Sequence, residues 1–323
     1  KAARNHILIR DTSALEQMRN VDVVVFDKTG TLTEGHPTVI GWLWAQGQEE
    51  HYKDVLLAAE STSDHPLAEA IVTALEGEEQ VIPAHLDGFE SIAGKGVRVA
   101  YQGAEYWVGS HKLLKDYQAN LSDILADMLT QYESDGNSIV YFGRENDLLA
   151  VIAIKDQLRV TSMEAIRELR IQDIEICMLT GDGERTASSV AGSLGIMRFV
   201  ADAMPDDKED FIHKLQLQGK TVAMVGDGVN DARALSCADV SIAMGKGTDT
   251  LMDTAMITLR TSDLLLLPKV FRLSRQTVSL MYRNLFWAFI YNVIGIPLAA
   301  GVFIPLGLTL NPMFGAAAMS LSS

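Results

Sequence analysis

Apolar positions form near-continuous runs in three short segments, and each run ends in Asp and Gly. They are Val21–Phe26 before Asp27-Lys28-Thr29-Gly30, Ile174–Leu179 before Thr180-Gly181-Asp182, and Thr221–Val225 before Gly226-Asp227-Gly228-Val229-Asn230-Asp231. Such runs predict strands of a parallel sheet buried on both faces. Helical spacing lies between them, over Thr161–Arg170, Glu184–Leu194 and Lys208–Gln218. Strands alternating with helices imply a doubly wound α/β layer, in which ligands bind at the carboxyl ends of the strands. All three acidic motifs stand at those ends, so they are expected to share one cleft.

More than a hundred residues separate the first acidic strand from the other two, too many for a structureless loop. Residues 37–149 carry their own pattern. Helices are expected at Lys53–Glu60, Pro66–Glu76 and Leu121–Glu133, and strands at Gly96–Tyr101, Glu105–Val108 and Ser138–Phe142. This is read as an inserted α+β domain, with 21–36 and 150–265 forming the α/β layer and 1–20 a connector. Residues 284–323 carry no formal charge. A stretch from Met281 to Phe303 has the length of about 20 residues that spans a bilayer, and the remainder reads as a second, truncated membrane helix. The chain opens at Lys1 without Met or a signal pattern and is read as a fragment.

Composition narrows the function. There are 27 Lys and Arg against 42 Asp and Glu among 323 residues, a formal charge of −15. That balance argues against nucleic acid as a partner, because phosphate backbones reward basic patches. Cys177 and Cys237 form no CxxC pair or disulfide framework, which suits a reducing compartment.

The candidate chemistry is phosphoryl transfer. Asp27 at a strand end can act as a nucleophile toward the γ-phosphorus of ATP. Asp227 supplies a second carboxylate for Mg²⁺, since that ion takes hard oxygen ligands. Lys208, opening a helix after Pro205-Asp206-Asp207, is placed to neutralise phosphoryl oxygens, with Thr180 and the Gly181 N–H as further donors and Asp231 behind them. Thr29 stands two residues after Asp27, where an Asp would act as the general acid and base of a hydrolytic phosphatase. Taken singly, each motif also has an ordinary reading: a lone Gly-Asp pair is usually a turn, and a lone Lys is usually a solvated helix residue.

Asp27-Lys28-Thr29-Gly30-Thr31-Leu32-Thr33 resembles the DKTGTLT signature of P-type ATPases, a branch of the haloacid dehalogenase-like superfamily. TGD at 180–182, P-x-x-K at 205–208 and GDGxND at 226–231 follow in that family's order. The resemblance implies that Asp27 is phosphorylated and that Asp27, Asp227 and the Thr29 carbonyl hold Mg²⁺. The insert resembles the nucleotide-binding domain of the heavy-metal branch. Ser63-Asp64-His65-Pro66 is similar to its SxHP element, which implies that His65 contacts adenine with Glu60 as acidic partner. Gly94-Lys95-Gly96 and Gly109 match glycines that let backbone approach the nucleotide, while Ser110 stands where that branch commonly has Asn. Asp182 belongs to the same cofactor-binding set.

Tyr291-Asn292 and Met319-x-x-x-Ser323 resemble the membrane motifs of the copper(I) subgroup, which implies transported Cu(I), with Ag(I) as companion, because thioethers are soft donors. A zinc, cadmium and lead pump would place Lys and Asp in these helices. The positive flank Lys269, Arg272, Arg275 and Arg283 implies a cytoplasmic side for the catalytic domains. The resemblance also implies an actuator domain and further membrane helices elsewhere in the parent chain, contact with membrane lipid, and a metal-delivering chaperone. The rival readings are a zinc or cadmium exporter, a soluble phosphatase of the same superfamily, and a regulatory ATP-binding membrane protein.

Overall fold

The computed structural model describes residues 6–45, 49–63, 65–78, 81–120, 123–227, 231–245 and 255–299. In chain order the elements are β1 (Ile7–Ile9), α1 (Thr12–Arg19), β2 (Val23–Asp27), β3 (Thr38–Trp44), α2 (Glu49–Glu60), α3 (Pro66–Glu76), β4 (Gly88–Ile92), β5 (Gly96–Tyr101), β6 (Ala104–Gly109), α4 (His111–Asp116), α5 (Asp123–Ser134), β7 (Ser138–Arg144), β8 (Asp147–Lys155), α6 (Ser162–Ile171), β9 (Glu175–Leu179), α7 (Glu184–Leu194), β10 (Arg198–Val200), α8 (Pro205–Leu217), β11 (Val222–Gly226), α9 (Ala232–Cys237), β12 (Val240–Met244), β13 (Ile257–Leu259) and α10 (Leu266–Ala299).

Two sheets organise these elements. Seven strands run in the order β1-β13-β12-β11-β2-β9-β10, and six in the order β3-β8-β7-β6-β5-β4. In the first sheet every pairing is parallel except β1 with β13. Its strands β2, β11 and β12 are buried along their whole length, because apolar clusters cover both faces. One contains Val24, Phe26, Met178, Val225 and Phe271, the other Val23, Val25, Cys177, Leu179 and Met224. Alternation within β2 therefore sends successive side chains to opposite cores, the expectation for a parallel sheet between helical layers. The layer is the expected doubly wound α/β architecture.

The second sheet is antiparallel throughout. Its two faces also have separate cores, one built on Val97, Val99, Tyr106 and Phe142 and one on Trp107, Tyr141 and Val151. β8 spans Asp147–Lys155, so the division expected at 149/150 falls inside a strand, and the chain leaves this sheet after Lys155. Residues 7–19, expected as a connector, form β1 and α1, with Ile7, Ala14 and Met18 buried in the first core.

α10 begins inside the protein, where Leu267, Val270 and Phe271 are buried. It then projects an apolar surface over Leu285, Phe286, Trp287, Phe289, Val293 and Ile294. Among the described residues no helix is long and apolar enough to cross a membrane. The span expected at 281–303 runs into the part of the chain outside those residues, as do Met319 and Ser323 and the whole second membrane segment.

Candidate active site

β2 and β11 are adjacent parallel strands, with Val225 opposite Phe26. That register places Asp27 and Asp227 side by side where the two strands end. Asp231 stands before α9 and completes the group, and the carboxylate oxygens of Asp27, Asp227 and Asp231 lie within 4.8 Å of one another. Gly228, Val229 and Asn230 of the same motif lie outside the described residues.

Lys208 answers this charge from the first turns of α8. Its Nζ donates to Asp27 Oδ1 at 2.5 Å and to Asp231 Oδ1 at 2.8 Å. Burial alone would lower the lysine, but the Asp27 and Asp231 carboxylates outweigh it and hold the ammonium well above its ordinary range. Burial raises Asp227 to about 7, with the Asp27 charge adding to the effect and Arg159 opposing it. Burial and Asp27 likewise push Asp231 up, against the pull of Lys208. The cluster thus holds more negative charge than its lysine balances. Three convergent oxygen donors of this kind fit a hard divalent cation such as Mg²⁺.

The loop after Asp27 is a single wide turn over Lys28–Leu32, interrupted by extended Thr29 (φ −72°, ψ 130°) and by Gly30 at φ 70°. Two residues beyond the sequence reading hold it. Arg159 donates from Nε to the Thr31 carbonyl at 3.0 Å and also to the Gly30 carbonyl. Asp156 accepts from the Thr33 hydroxyl and from the Gly35 N–H at 3.1 Å. Both follow β8, more than 120 positions from the loop, and no local pattern marks them.

Lys28 also has a role that sequence reasoning missed. Its Nζ lies 2.5 Å from Asp182 Oδ2 and donates to Ser138 Oγ at 3.0 Å, so it joins the first sheet to the second. Burial pushes Asp182 up, but the Lys28 charge and the hydrogen bonds from Lys28, Ser138 and Thr180 outweigh it and keep the carboxyl below its ordinary value. Thr180, expected to offer its hydroxyl to a phosphoryl group, donates it to Asp182 Oδ2 at 2.9 Å and accepts from the Asp182 N–H. Gly181 is open, since an added Cβ would meet nothing closer than the Ala203 carbonyl at 3.8 Å.

Within the insert, His65 caps α3 and accepts the Leu67 N–H on Nδ1 at 3.2 Å, which leaves Nε2 to carry the proton in the neutral ring. Burial lowers the His65 imidazole below its ordinary range. The charges of Asp182 and Asp27 oppose this and those of Lys208 and Lys28 add to it, so the ring lies within electrostatic reach of the acidic cleft. Glu60, at the end of α2, is 6% exposed, and burial pushes it up to about 7. Asp64 lies outside the described residues.

The three glycines have packing reasons of their own. A Cβ on Gly96 would come within 2.1 Å of the Val108 carbonyl, and one on Gly109 within 2.1 Å of the Lys95 carbonyl. Gly94, at φ 67°, touches the start of α8, where its Cβ would meet Met204 Cε at 2.9 Å. Far from these, Tyr291 is 41% exposed on α10 and the Asn292 amide donates back to the Ala288 carbonyl at 3.0 Å.

Residues 21–239 match the haloacid dehalogenase-like hydrolase family. Over its whole length the chain is 43% identical to a copper-exporting P-type ATPase of Legionella pneumophila, and 41% identical to one of Staphylococcus epidermidis. It spans only 44% and 39% of those relatives. Among solved structures, a zinc-transporting PIB-type ATPase in the E2.Pi state superposes on 99% of this chain and 51% of its own, with TM-score 0.65 and 34% identity. The catalytic domain of the CPx-ATPase CopB-B matches 83% of this chain and 96% of its own, with TM-score 0.69 and 28% identity. With Asp27 at the end of β2 and residues 21–239 matched, this chain belongs to the haloacid dehalogenase-like hydrolase family, and its likeness there is to the heavy-metal P-type ATPases.

Proposed function

We propose that this chain is the ATP-hydrolysing part of a heavy-metal P-type ATPase and that its parent transports Cu(I) through an aspartyl phosphate on Asp27. The observation that carries the reading is the buried Asp27 carboxylate held 2.5 Å from Lys208 at the end of a strand. An Asp27 oxygen attacks the γ-phosphorus, a bond forms between them, and the bond from that phosphorus to the β–γ bridging oxygen breaks, releasing ADP. Lys208 offers fixed positive charge to the transferred group. Such preorganised charge typically contributes about 10²–10³ in rate. Asp27 and Asp227, with the Thr29 carbonyl, are the groups that would hold Mg²⁺, which neutralises phosphate charge when bound. Thr29 cannot serve as a proton carrier at neutral pH, so the acyl phosphate persists until water is activated from elsewhere, the role assigned to the actuator domain of the parent.

Nucleotide binding is assigned to Glu60, His65, Gly94, Gly96 and Gly109, with Gly181 and Asp182 at the phosphate end. Tyr291, Asn292, Met319 and Ser323 are assigned to the cargo, with Ag(I) as alternative ion. Lipid contact, a metal-delivering chaperone and a cytoplasmic catalytic face belong to the same proposal. Copper is favoured by the names of the curated relatives. The zinc-transporting neighbour supports a second reading, export of zinc or cadmium. ATPase activity of the parent under reducing conditions, compared for Cu(I), Ag(I), Zn(II) and Cd(II), separates the two. Stimulation by the divalent ions alone would overturn the copper assignment. For the chemistry, Asp27→Asn is expected to abolish acid-stable, hydroxylamine-labile label from γ-phosphate-labelled ATP. Label surviving that substitution would remove Asp27 as nucleophile.

A further inference from the structure

A second cluster of metal-ligating groups lies away from the acidic cleft, where α8 packs on α9. Glu209 and His213 are one helical turn apart on α8, and Cys237 ends α9. Their ligand atoms lie within 4.8 Å of one another. Glu209 Oε1 is 3.5 Å from Cys237 Sγ and 3.8 Å from His213 Nε2. Metal–ligand bonds of about 2.0–2.3 Å in a tetrahedral zinc site require ligand-to-ligand edges of roughly 3.3–3.7 Å, so the cluster is close to that shape without a metal.

The surrounding hydrogen bonds orient two of the three ligands, His213 and Glu209. The Gln216 amide nitrogen donates to the Cys237 carbonyl at 2.9 Å. That contact turns Gln216 Oε1, an acceptor, toward His213 Nδ1 at 3.2 Å. Nδ1 must then carry the proton, and the Nε2 lone pair is left on the side of Glu209. Arg233 takes the other carboxylate oxygen, Oε2, at 2.9 Å, leaving Oε1 for the cluster. A histidine whose second nitrogen is fixed by a hydrogen bond, and a carboxylate braced on its outer oxygen, are the supports that metal sites use.

We propose that Glu209, His213 and Cys237 form a surface site for a borderline divalent cation of the zinc class, which ties α8 to α9. One thiolate, one imidazole and one carboxylate match zinc rather than Mg²⁺, which takes oxygen donors, and rather than Cu(I), which favours softer sets. On binding, the Cys237 proton, donated to Glu209 in the metal-free state, leaves to solvent and sulfur bonds to the ion. His213 is exposed and Cys237 half-buried, so the ion can enter from solvent, with water as fourth ligand. The staple would join the helix that carries Lys208 to the helix that follows Asp231, and so would act on the acidic cleft from behind.

Cobalt(II) titrated into the whole chain in millimolar Mg²⁺ tests the site. Mg²⁺ occupies the hard carboxylate cluster, and a thiolate-to-cobalt charge-transfer band reports sulfur ligation alone. The chain has two cysteines, and Cys177 is fully buried in the sheet, so the band reports Cys237. The expected result is one equivalent of cobalt, a band that zinc abolishes by displacement, and loss of that band in Cys237→Ser. His213→Gln, a change at an exposed position, should weaken zinc binding tenfold or more with the fold intact. Gln216→Leu should weaken it about 10–100-fold, as loss of a supporting hydrogen bond does. No band in the wild-type chain, or a band retained in Cys237→Ser, would overturn the proposal, as would unchanged zinc affinity in His213→Gln.

Discussion

Gly30 and Asp227 share one space: a Cβ built on Gly30 would lie 1.5 Å from Oδ2 of Asp227. The two residues come from loops after neighbouring strands, β2 and β11, and they approach because the strands pair in register. Gly30 also sits at φ 70°, where an L side chain is strained. The Gly in the DKTG run is thus required twice, by its own backbone and by the carboxylate pressed against it.

Gly30→Ala is therefore expected to act mainly on the cleft. Asp227 must move, and the gathering of Asp27, Asp227 and Asp231 opens. Phosphoenzyme formation from ATP should fall at least 100-fold, on the scale of losing one preorganised electrostatic partner. Folding stability should fall by about 1–3 kcal/mol for the positive φ. Labelling within a few-fold of wild type would mean that the Asp227 position does not matter to transfer.

Gly96→Ala tests a different idea, that this glycine serves the sheet before it serves any ligand. Its Cβ would sit 2.1 Å from the Val108 carbonyl and 2.6 Å from Gly109 Cα, at φ 143°. Strain and overpacking together should destabilise by about 2–5 kcal/mol. Chemical denaturation reads this directly. An unchanged midpoint with weakened ATP binding would return Gly96 to a purely nucleotide role.

Much of this arrangement is legible in the sequence, for reasons that differ by element. β2, β9 and β11 announce themselves because both faces are covered, so nearly every position is apolar. β4 does not: four of its five residues are exposed at the edge of the six-stranded sheet, so no pattern separates it from a loop. The carboxylates were readable as strand ends, and the strand order brought them together. Lys28 with Asp182, and Arg159 with the Gly30 carbonyl, were not readable, since each pair is set by sheet order across more than a hundred residues. Thr180 reads from its strand end as a donor to phosphate, and its two-residue spacing from Asp182 also suits the local side-chain turn in which its hydroxyl donates to Asp182 Oδ2.

Lys208→Met should expose the charge balance of the cleft. Lys208 is buried and is shared by Asp27 and Asp231, so its removal leaves carboxylates facing one another without compensation. Losing one partner of such a group typically destabilises by about 3–5 kcal/mol. The loss should be greatest at neutral pH and shrink toward pH 5, because Asp227 and Asp231, already raised, take up protons. Melting temperatures of both proteins across that range give the difference. A penalty that grew on acidification would contradict the buried-ammonium role.

Glu60→Gln carries the opposite pH signature. Glu60 is raised from 4.5 to about 7 by burial, so the folded chain holds it neutral where the unfolded chain releases its proton. Below about pH 4.5 it is protonated in both states and its burial contributes in full. As pH rises from 4.5 through about 7 that contribution is lost, by at most about 1.4 kcal/mol per pH unit. Gln keeps the shape of the neutral acid and cannot ionise. The stability difference, variant minus wild type, should therefore be flat below pH 4.5, climb through the interval to about 3 kcal/mol, and level off above pH 7. Subtracting the two curves cancels the slopes that Asp227 and Asp231 impose on both proteins. A difference curve flat from pH 4 to 8 would mean that Glu60 is ionised in the folded chain, with a cation or ordered water meeting its charge.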